Sequence, residues 1–337
     1  RLGAMSQQPA PPPPMSDFAG SLWKGAAIIA ATKLGIFKVL ADGPRSTAEI
    51  AQATGSNETG VTRLVEALAS FGYLLRVNER FANGPTPQTW LTPQSRVDFT
   101  AGVLWQAELW HWLEGLGQAV QQGGPQRDIW RQMEDRPEVG QLYAQYMNAL
   151  AQLTAGPLLQ SVPLPDGARR LLDLGGSHGL RSIAYCERYL QLQAVVYDLP
   201  SALTDTQQTI ATREMGSRVS VQQGNCLTED IGWGYDVILC IGLLHNFTAD
   251  ENKALARKLA RALNPGGLIV IHEFLRNEPP DEFNAGFSLV LLLENGTRTY
   301  SYHEIGSWLT DAEFSQLKRM DLGSSGDGSI ITAIKGE

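Results

Sequence analysis

The chain has few cysteines, no long apolar run and no excess of basic residues. Its three cysteines, Cys186, Cys226 and Cys240, include no C-x-x-C pair, which disfavours disulfides and structural zinc and is typical of a reducing cytosol. No apolar run reaches the roughly 18 residues that a membrane span needs. The net charge of −8 disfavours a surface for nucleic acid. We therefore expect a cytoplasmic protein without a metal site that binds neither a membrane nor nucleic acid.

Two common phosphate-binding motifs are also missing. The glycines between residues 175 and 179 do not form G-x-G-x-x-G, and no G-x-x-x-x-G-K-[ST] occurs, which disfavours an NAD-dependent oxidoreductase and a P-loop protein. What is present is a short apolar run, Arg170–Leu174, that contains one carboxylate, Asp173, and is followed by Gly175 and Gly176. This pattern is typical of a buried parallel strand that ends in a tight turn beneath a helix N-terminus.

A second acidic residue lies at the spacing expected for a nucleotide-like ligand. The apolar run Ala194–Tyr197 ends in Asp198, about 20 residues after Gly179. In Rossmann-like folds an acidic residue at this strand tip holds the hydroxyls of a ribose. Strand, glycine loop, helix and Asp198 together predict such a ligand, and the alternative is a glycine turn that only packs strand on helix.

Strand-like and helical segments alternate from Ala168 onward, as a parallel sheet requires. The clearest helices are Ala249–Leu263, closed by Asn264–Gly267, and His303–Thr310. In such sheets ligands bind beyond the carboxyl ends of the strands, so these ends should form one cleft. The predicted strands are Arg170–Leu174, Ala194–Asp198, Arg218–Gln222, Asp236–Ile241, Gly267–Phe274 and Ser329–Lys335.

The N-terminal region has the pattern of a winged helix. Asp17–Val39 is densely apolar, and Ser46–Glu49 is a capping box that opens a short helix. Tyr73–Val77 and Phe81–Ala82 are two short strand-like runs that predict a hairpin. Between the box and the hairpin, one helix is indicated by apolar residues at helical spacing, namely Val61, Leu64, Val65 and Leu68.

A winged helix raises DNA binding as a rival function. The second helix, which would contact the bases, carries Glu58, Arg63 and Glu66 and is net negative. The wing offers only Arg76 and Arg80, whereas DNA binding needs many cationic contacts to phosphate. We therefore favour a module for dimerisation or for covering a substrate over a transcriptional regulator.

The segment 100–160 is helical in pattern and rich in aromatic residues. Aromatic residues at helical spacing are more often core residues than ligand contacts. This segment precedes the glycine loop, however, and can line a pocket for a second ligand. The candidate pocket residues here and further along the chain are Trp105, Tyr143, Met147, Asn246 and Phe287.

The form Asp-x-Gly-x-x-x-Gly at residues 173–179 resembles motif I of class I S-adenosylmethionine methyltransferases, with Ser177 where many members have glycine. From about Phe18 to Lys335 the chain resembles bacterial small-molecule O-methyltransferases of the hydroxyindole and caffeate type. The resemblance rests on the winged-helix start, residues 171–179, Leu243–Phe247, and Asn264–Gly267 followed by Glu273. It implies a Rossmann-like methyltransferase domain with a mostly parallel seven-stranded sheet, a mainly α-helical N-terminal dimerisation domain, and a homodimer.

The resemblance also implies site residues and boundaries. His245 falls on the general base and Glu273 on the carboxylate that orients it. The domains would be residues 1–14 (tag remnant and disordered tail), 15–100 (winged-helix dimerisation domain), 101–165 (helical connector lining the acceptor pocket) and 166–337 (methyltransferase domain). S-adenosylmethionine, or its product S-adenosylhomocysteine, would be bound by Asp173, Gly175, Gly176, Ser177, Gly179, Asp198, Leu199, Asn225, Cys226 and Ile241, with Asp198 on the ribose and Asn225 and Cys226 at the adenine.

Three positions depart from the pattern of relatives. Asn246 stands where plant members have Asp, Thr297 lies where their second flanking Glu falls, and Ile241 replaces a polar residue. Family members also methylate nitrogen, carbon or carboxylate, or catalyse rearrangements, and these reactions remain alternatives. For His245 the alternative is a loop histidine that only caps the following helix. The chemistry still suits a phenol, because its pKa is about 10 and a histidine with a pKa near about 6.5 is available as a base at neutral pH. The expected acceptor is the hydroxyl of an aromatic small molecule or natural product.

Overall fold

The computed structural model describes residues 13–323 and 325–336. The predicted tag remnant and most of the predicted tail lie outside these residues. The chain divides into two compact units, Arg1–Ala107 and Glu108–Glu337. Among the described residues, no helix combines the length and the apolar character that crossing a bilayer would require.

The first unit consists of short helices and one hairpin. Gly35, in the left-handed conformation with φ of 77°, ends the helix Lys24–Leu34. It therefore interrupts the apolar segment Asp17–Val39, whose pattern is that of one helix. The predicted capping box is present, because Ser46 and Glu49 each accept a hydrogen bond from the other's backbone N–H. The elements are α1 (Met15–Phe18), a π-helical turn (Ala19–Trp23), α2 (Lys24–Leu34), α3 (Ile36–Val39), α4 (Thr47–Thr54), α5 (Glu58–Ser70), β1 (Leu74–Val77), β2 (Arg80–Asn83) and α6 (Pro85–Trp90).

The core of this unit forms where the periodic residues of α5 meet α4 and the hairpin. Val61, Val65 and Leu68 are buried together with Ile50 and Leu74. In the first turns of the unit, by contrast, large apolar side chains are exposed to solvent. Phe18, Leu22 and Trp23 are 51%, 41% and 58% exposed.

The second unit is an α/β structure built on a seven-stranded sheet, in the order β5-β4-β3-β6-β7-β9-β8. The strands from β5 to β7 are parallel, and β9 pairs antiparallel with both β7 and β8, which confirms the prediction of a mostly parallel seven-stranded sheet. The strands are β3 (Arg170–Leu174), β4 (Gln193–Asp198), β5 (Val219–Gln223), β6 (Tyr235–Ile241), β7 (Leu263–Glu273), β8 (Phe314–Asp321) and β9 (Ser329–Lys335).

Helices connect and cover these strands. Helix α7, Thr100–Leu113, contains the boundary between the units. The others are α8 (Leu116–Gln122), α9 (Ile129–Asp135), α10 (Pro137–Ser161), α11 (Leu180–Arg188), α12 (Thr206–Thr212), α13 (Ala249–Ala262), α14 (Glu282–Glu294) and α15 (Tyr302–Asp311), with 3₁₀ turns at Pro200–Leu203, Leu244–Asn246 and Ser325–Asp327.

Two strands differ from the sequence prediction. The edge strand β8 was not located, because most of its side chains are exposed and it lacks an apolar run. Strand β7 begins at Leu263 rather than Gly267. Leu263 pairs with Tyr235 and Leu268 with Val237, so the pairing register shifts where the sequence predicts a turn.

The strand order determines where a ligand can bind. From β3 the chain adds β4 and then β5 on one side, and returns to place β6 on the other side of β3. The crevice beyond the carboxyl ends of β3 and β6 is therefore a topological switch point, the usual ligand site of such sheets. Each of these strands is followed there by a turn that carries candidate site residues.

The three cysteines are free thiols in the interior of this unit. Burial raises the pKa of Cys186 to about 11 and that of Cys226 to about 12. Burial also raises the pKa of Cys240, well above its usual range. The thiols therefore stay protonated and act as small apolar side chains.

Candidate active site

The turn after β3 is shaped by contacts that exclude side chains. Gly175 has φ of 72°, and a Cβ atom there would lie 2.9 Å from Cδ1 of Leu243. A Cβ atom on Gly176 would lie 2.6 Å from Cγ of Asp173. Ser177 follows with φ of 44°, which is uncommon for a residue other than glycine. The packing of Leu243 and Asp173 against this turn consequently requires glycine at both positions.

Asp198 faces this turn from the tip of β4. Its carboxylate accepts hydrogen bonds from the backbone N–H of Ser177 at 3.0 Å and of Leu199 at 2.8 Å. Burial raises the pKa of Asp198 to about 6, although these two hydrogen bonds act in the opposite direction. The carboxylate is therefore fixed against the loop and retains lone pairs for further donors.

Two charged groups beneath the turn have unused hydrogen-bonding capacity. Asp173 is 1% exposed; its Oδ2 accepts from the Ser182 hydroxyl at 2.9 Å, and burial raises its pKa. Within the described residues its Oδ1 has no hydrogen-bond partner, and neither has Nε of Arg181. Arg181, the second residue of α11, is not indicated by the sequence pattern. An anion and a cation with unfilled positions suit a zwitterionic ligand.

The other candidate cofactor residues occupy neighbouring turns. Gly179, with φ of 74°, opens α11. After β5, Oδ1 of Asn225 accepts from the backbone N–H of Leu227 at 2.9 Å, and the next residue, Cys226, is buried. Ile241 is half-buried as the last residue of β6. These residues thus lie at the end of β6 or in the turns that follow β3 and β5, at the carboxyl edge of the parallel strands.

His245 lies in the 3₁₀ turn that follows β6, and Glu273 is the last residue of β7. His245 Nδ1 and Glu273 Oε2 are 2.7 Å apart. The other carboxylate oxygen accepts from the backbone N–H of Leu244 at 2.6 Å. Because Glu273 is held by both bonds, it fixes the orientation of the imidazole ring.

His245 and Glu273 stabilise each other's charged form. Burial alone would lower the pKa of His245, but the charge of Glu273 and its hydrogen bond outweigh burial and raise the pKa. Burial likewise opposes ionisation of Glu273, yet His245 keeps the pKa of that carboxyl below its usual range. An ionised Glu273 accepts from Nδ1–H, so Nε2 carries the lone pair of the neutral ring.

Phenylalanine rings surround the imidazole. The centroid of Phe287 on α14 lies 5.4 Å from that of His245 in an edge-to-face arrangement, and Phe274 lies 6.1 Å from it. Phe283 stacks on Phe287 at 5.8 Å. Of these rings the sequence analysis named only Phe287. The cluster gives His245 an apolar, aromatic surrounding.

The remaining candidate pocket residues differ in their surroundings. Tyr143 and Met147 lie one turn apart on α10, and Tyr143 packs edge-to-face on Trp130 at 5.7 Å. The amide of Asn246 donates to the Leu243 carbonyl at 3.2 Å and so turns back onto its own loop. Trp105 belongs to the first unit and is 4% exposed.

Two further residues, one at the end of α14 and one just after it, lie near His245. The Thr297 hydroxyl donates to the His245 carbonyl at 2.5 Å. Glu294, which the sequence analysis overlooked, is half-buried, and burial raises its pKa to about 7 against the opposing effect of His245. Glu294 is the first charged residue after the apolar run Phe287–Leu293, but this position alone does not reveal its burial.

Comparison with known families gives two matches. Residues 110–315 match the model of an O-methyltransferase domain, and residues 16–93 match that of an O-methyltransferase dimerisation domain. The first match covers more than half of the chain.

Individual relatives agree with these models. The chain is 27% identical to the 3-hydroxy-5-methyl-1-naphthoate 3-O-methyltransferase of Streptomyces sahachiroi, over 95% of this chain and 94% of the relative. It is 26% identical to the L-tyrosine C(3)-methyltransferase of Streptomyces lavendulae, over 98% of both chains. The crystal structure of human N-acetylserotonin methyltransferase in complex with S-adenosylmethionine has the same fold, with a TM-score of 0.85 at 19% identity over 96% of this chain and 97% of the human one.

The residues around the glycine turn fit the cofactor of such enzymes. Asp198 can accept from ribose hydroxyls, and the unfilled positions on Asp173 and Arg181 have the charges opposite to those of an amino-acid group. At Gly175 and Gly176 a side chain would collide with Leu243 and Asp173, so only glycine fits this turn beside Asp198. With the fold, the domain matches and this fit in agreement, the chain belongs to the O-methyltransferase family and is an S-adenosylmethionine-dependent enzyme.

Proposed function

We propose that this enzyme transfers a methyl group to the hydroxyl of an aromatic small molecule, most suitably a phenol, and that His245 is the general base. The observation that carries the proposal is the Glu273-held imidazole beside the Phe287 ring, at the same sheet edge as the glycine turn. Phenols need a base because they are largely protonated at neutral pH. The aromatic wall supplies the apolar surface that a phenolic acceptor requires.

The residues around the glycine turn bind and align the cofactor. Asp198 would hold the ribose hydroxyls, while Asp173 and Arg181 would face the ammonium and carboxylate groups. The bound cofactor supplies an electrophilic methyl group on a sulfonium, so the protein's task is alignment and exclusion of water. This division leaves proton transfer to the other side of the crevice.

His245 would take the proton of the acceptor hydroxyl at Nε2. Glu273 keeps the proton of the neutral ring on Nδ1 and then stabilises the imidazolium that forms. The same interaction raises the pKa of His245, which makes the ring a stronger base while it is neutral. Phe274 and Phe287 pack against the ring and limit access of water to it.

A methylation assay tests this function. Purified enzyme and S-adenosylmethionine are incubated with aryl alcohols and, as matched controls, with their methyl ethers and with anilines of the same skeleton. Mass spectrometry should find one added methyl group on the hydroxyl compounds together with S-adenosylhomocysteine. Methylation only at carbon, as in the L-tyrosine relative, or at nitrogen would replace the proposal. Cofactor binding without transfer to any acceptor would favour a role other than methyl transfer.

We also propose a homodimer formed through the N-terminal unit. This unit matches a dimerisation domain and exposes Phe18, Leu22 and Trp23, a group too apolar to face water. Light scattering at micromolar concentration should give twice the mass of the chain, and Trp23→Glu should shift the equilibrium toward the monomer. A monomeric wild-type protein would overturn this proposal.

A further inference from the structure

Residues on α14 and just after it contact His245. Phe287 and Glu294 are separated by about two helical turns and therefore share one face of the helix. The Phe287 ring lies 5.4 Å from that of His245, and just beyond the helix Thr297 donates to the His245 carbonyl. Leu293 packs in a separate cluster with Leu109 and Ala119. Glu294 lies between Phe287 and Thr297 in the sequence and interacts electrostatically with the imidazole.

The carboxylates of Glu273 and Glu294, both near His245, differ in their hydrogen bonds. Glu273 accepts from His245 Nδ1 and from the Leu244 backbone. For Glu294, which is half-buried, the structure shows no hydrogen bond and no ion pair within residues 13–323 and 325–336. The titratable groups that face it are His245 and, from α10, Tyr143 and Tyr146.

A partly buried carboxylate without donors is costly, because it loses water without gaining other hydrogen bonds. Its neighbours are the residues of the acceptor side. Tyr143 interacts electrostatically with both Glu294 and Asp198, so both carboxylates lie near this tyrosine. A ligand whose reacting hydroxyl meets His245 can therefore reach Glu294 with a second polar group.

We propose that Glu294 selects the acceptor. It binds a second hydrogen-bond donor, a hydroxyl or amino group, on the same aromatic molecule and rejects an acceptor with a carboxylate at that position. The attraction is a charge-assisted hydrogen bond, and the rejection is repulsion between like charges. The inference rests on the proposed function, since it concerns the acceptor of that reaction. It separates this enzyme from the relative that methylates the 3-hydroxyl of 3-hydroxy-5-methyl-1-naphthoate, an aromatic molecule that also carries a carboxylate.

Binding measurements test this selection without requiring turnover. The probes are naphthols that carry an amino group, a hydroxyl, a methyl group or a carboxylate at the same ring position. Calorimetry is done with S-adenosylhomocysteine present, about one pH unit above the pKa of about 7 of Glu294. The amino and hydroxyl probes should bind about tenfold more tightly than the methyl probe, and the carboxylate probe most weakly.

Glu294→Gln and Glu282→Gln form a matched pair. Glu282 is exposed at the start of the same helix, so its variant should retain the wild-type order of affinities. Glu294→Gln should lose the preference for the amino probe and bind the carboxylate probe at least tenfold more tightly than wild type does. An unchanged order in Glu294→Gln would overturn the inference, as would equal affinities of wild type for all four probes.

Kinetics separates this inference from the function on which it rests. If wild type methylates none of the hydroxyl compounds, the proposed function fails, whereas the order of affinities still decides the role of Glu294. If Glu294→Gln lowers kcat equally for every acceptor and leaves the affinities unchanged, Glu294 acts only through His245 and the selection is disproved.

Discussion

The two sides of the crevice are built in different ways. On the cofactor side, Asp198 accepts from two backbone N–H groups, and glycines shape the turn. On the acceptor side, His245 is fixed by side chains from distant parts of the chain, Glu273 at 28 residues and Thr297 at 52 residues away in sequence. The cofactor side depends on the glycines and on Asp198, whereas the acceptor side depends on Glu273 and Thr297. Cofactor binding and acceptor choice should therefore respond to different mutations.

The largest effect should come from His245→Ala. Loss of the base should lower kcat by about 10²–10⁴, while the affinity for S-adenosylhomocysteine measured by calorimetry stays unchanged. His303→Ala, at an exposed position in α15, is the control and should keep the wild-type rate. A comparable loss of cofactor affinity in His245→Ala would show that the two sides are not independent.

Glu273→Gln should lower kcat by a smaller factor, because the amide still accepts from Nδ1–H but no longer stabilises imidazolium. The charge of Glu273 raises the pKa of His245 in the wild type, so neutral base accumulates only as the pH rises through that raised value. In the variant the rise in kcat should move to lower pH. A pH–rate profile in which only the height changes would contradict this coupling.

Asp198→Ala should affect the other side of the crevice. Affinity for S-adenosylhomocysteine should fall more than tenfold, or about 1.4 kcal/mol, with kcat at saturating cofactor nearly unchanged. Since the pKa of Asp198 is about 6, wild-type affinity should also weaken as the pH falls below about that value and the carboxylate becomes protonated. Asp205→Ala, at a nearby exposed position, should bind as wild type does. An affinity within twofold of wild type in Asp198→Ala would exclude the ribose contact.

The smallest effect is expected from Thr297→Val, which keeps the shape of the side chain but removes the donor to the His245 carbonyl. A hydrogen bond of this kind contributes about 0.5–1.5 kcal/mol, so kcat should fall a few-fold. Cofactor affinity should remain as in the wild type. An unaltered kcat would mean that Glu273 alone positions the ring.

The contrast between the two sides also explains what the sequence predicted. The glycine turn and Asp198 belong to consecutive strand–helix units, and such short-range spacing is visible in a sequence. His245 and Glu273 were located because both follow apolar strands whose ends share an edge of the sheet. Their positions followed from the strand pattern and the family resemblance, while their catalytic roles remain predictions.

Other parts left no local signal. Arg181 and Glu294 acquire their surroundings from helices and turns far along the chain, so their burial cannot be read from neighbouring residues. The phenylalanine cluster joins β7 to α14, and the sequence identified only Phe287. Strand β8 escaped because an exposed edge strand has no apolar run, and its pairing with β9 depends on the rest of the sheet.

The buried cysteines have a practical consequence for studying these sides separately. Since Cys186, Cys226 and Cys240 are enclosed and keep their protons, reagents that alkylate thiolates should leave the folded protein unmodified. A single cysteine placed at a position such as Trp233, which is 76% exposed, would then be the preferred target for a fluorescent dye. The native cysteines should therefore not react with the label, and site-specific labelling would not require their prior replacement.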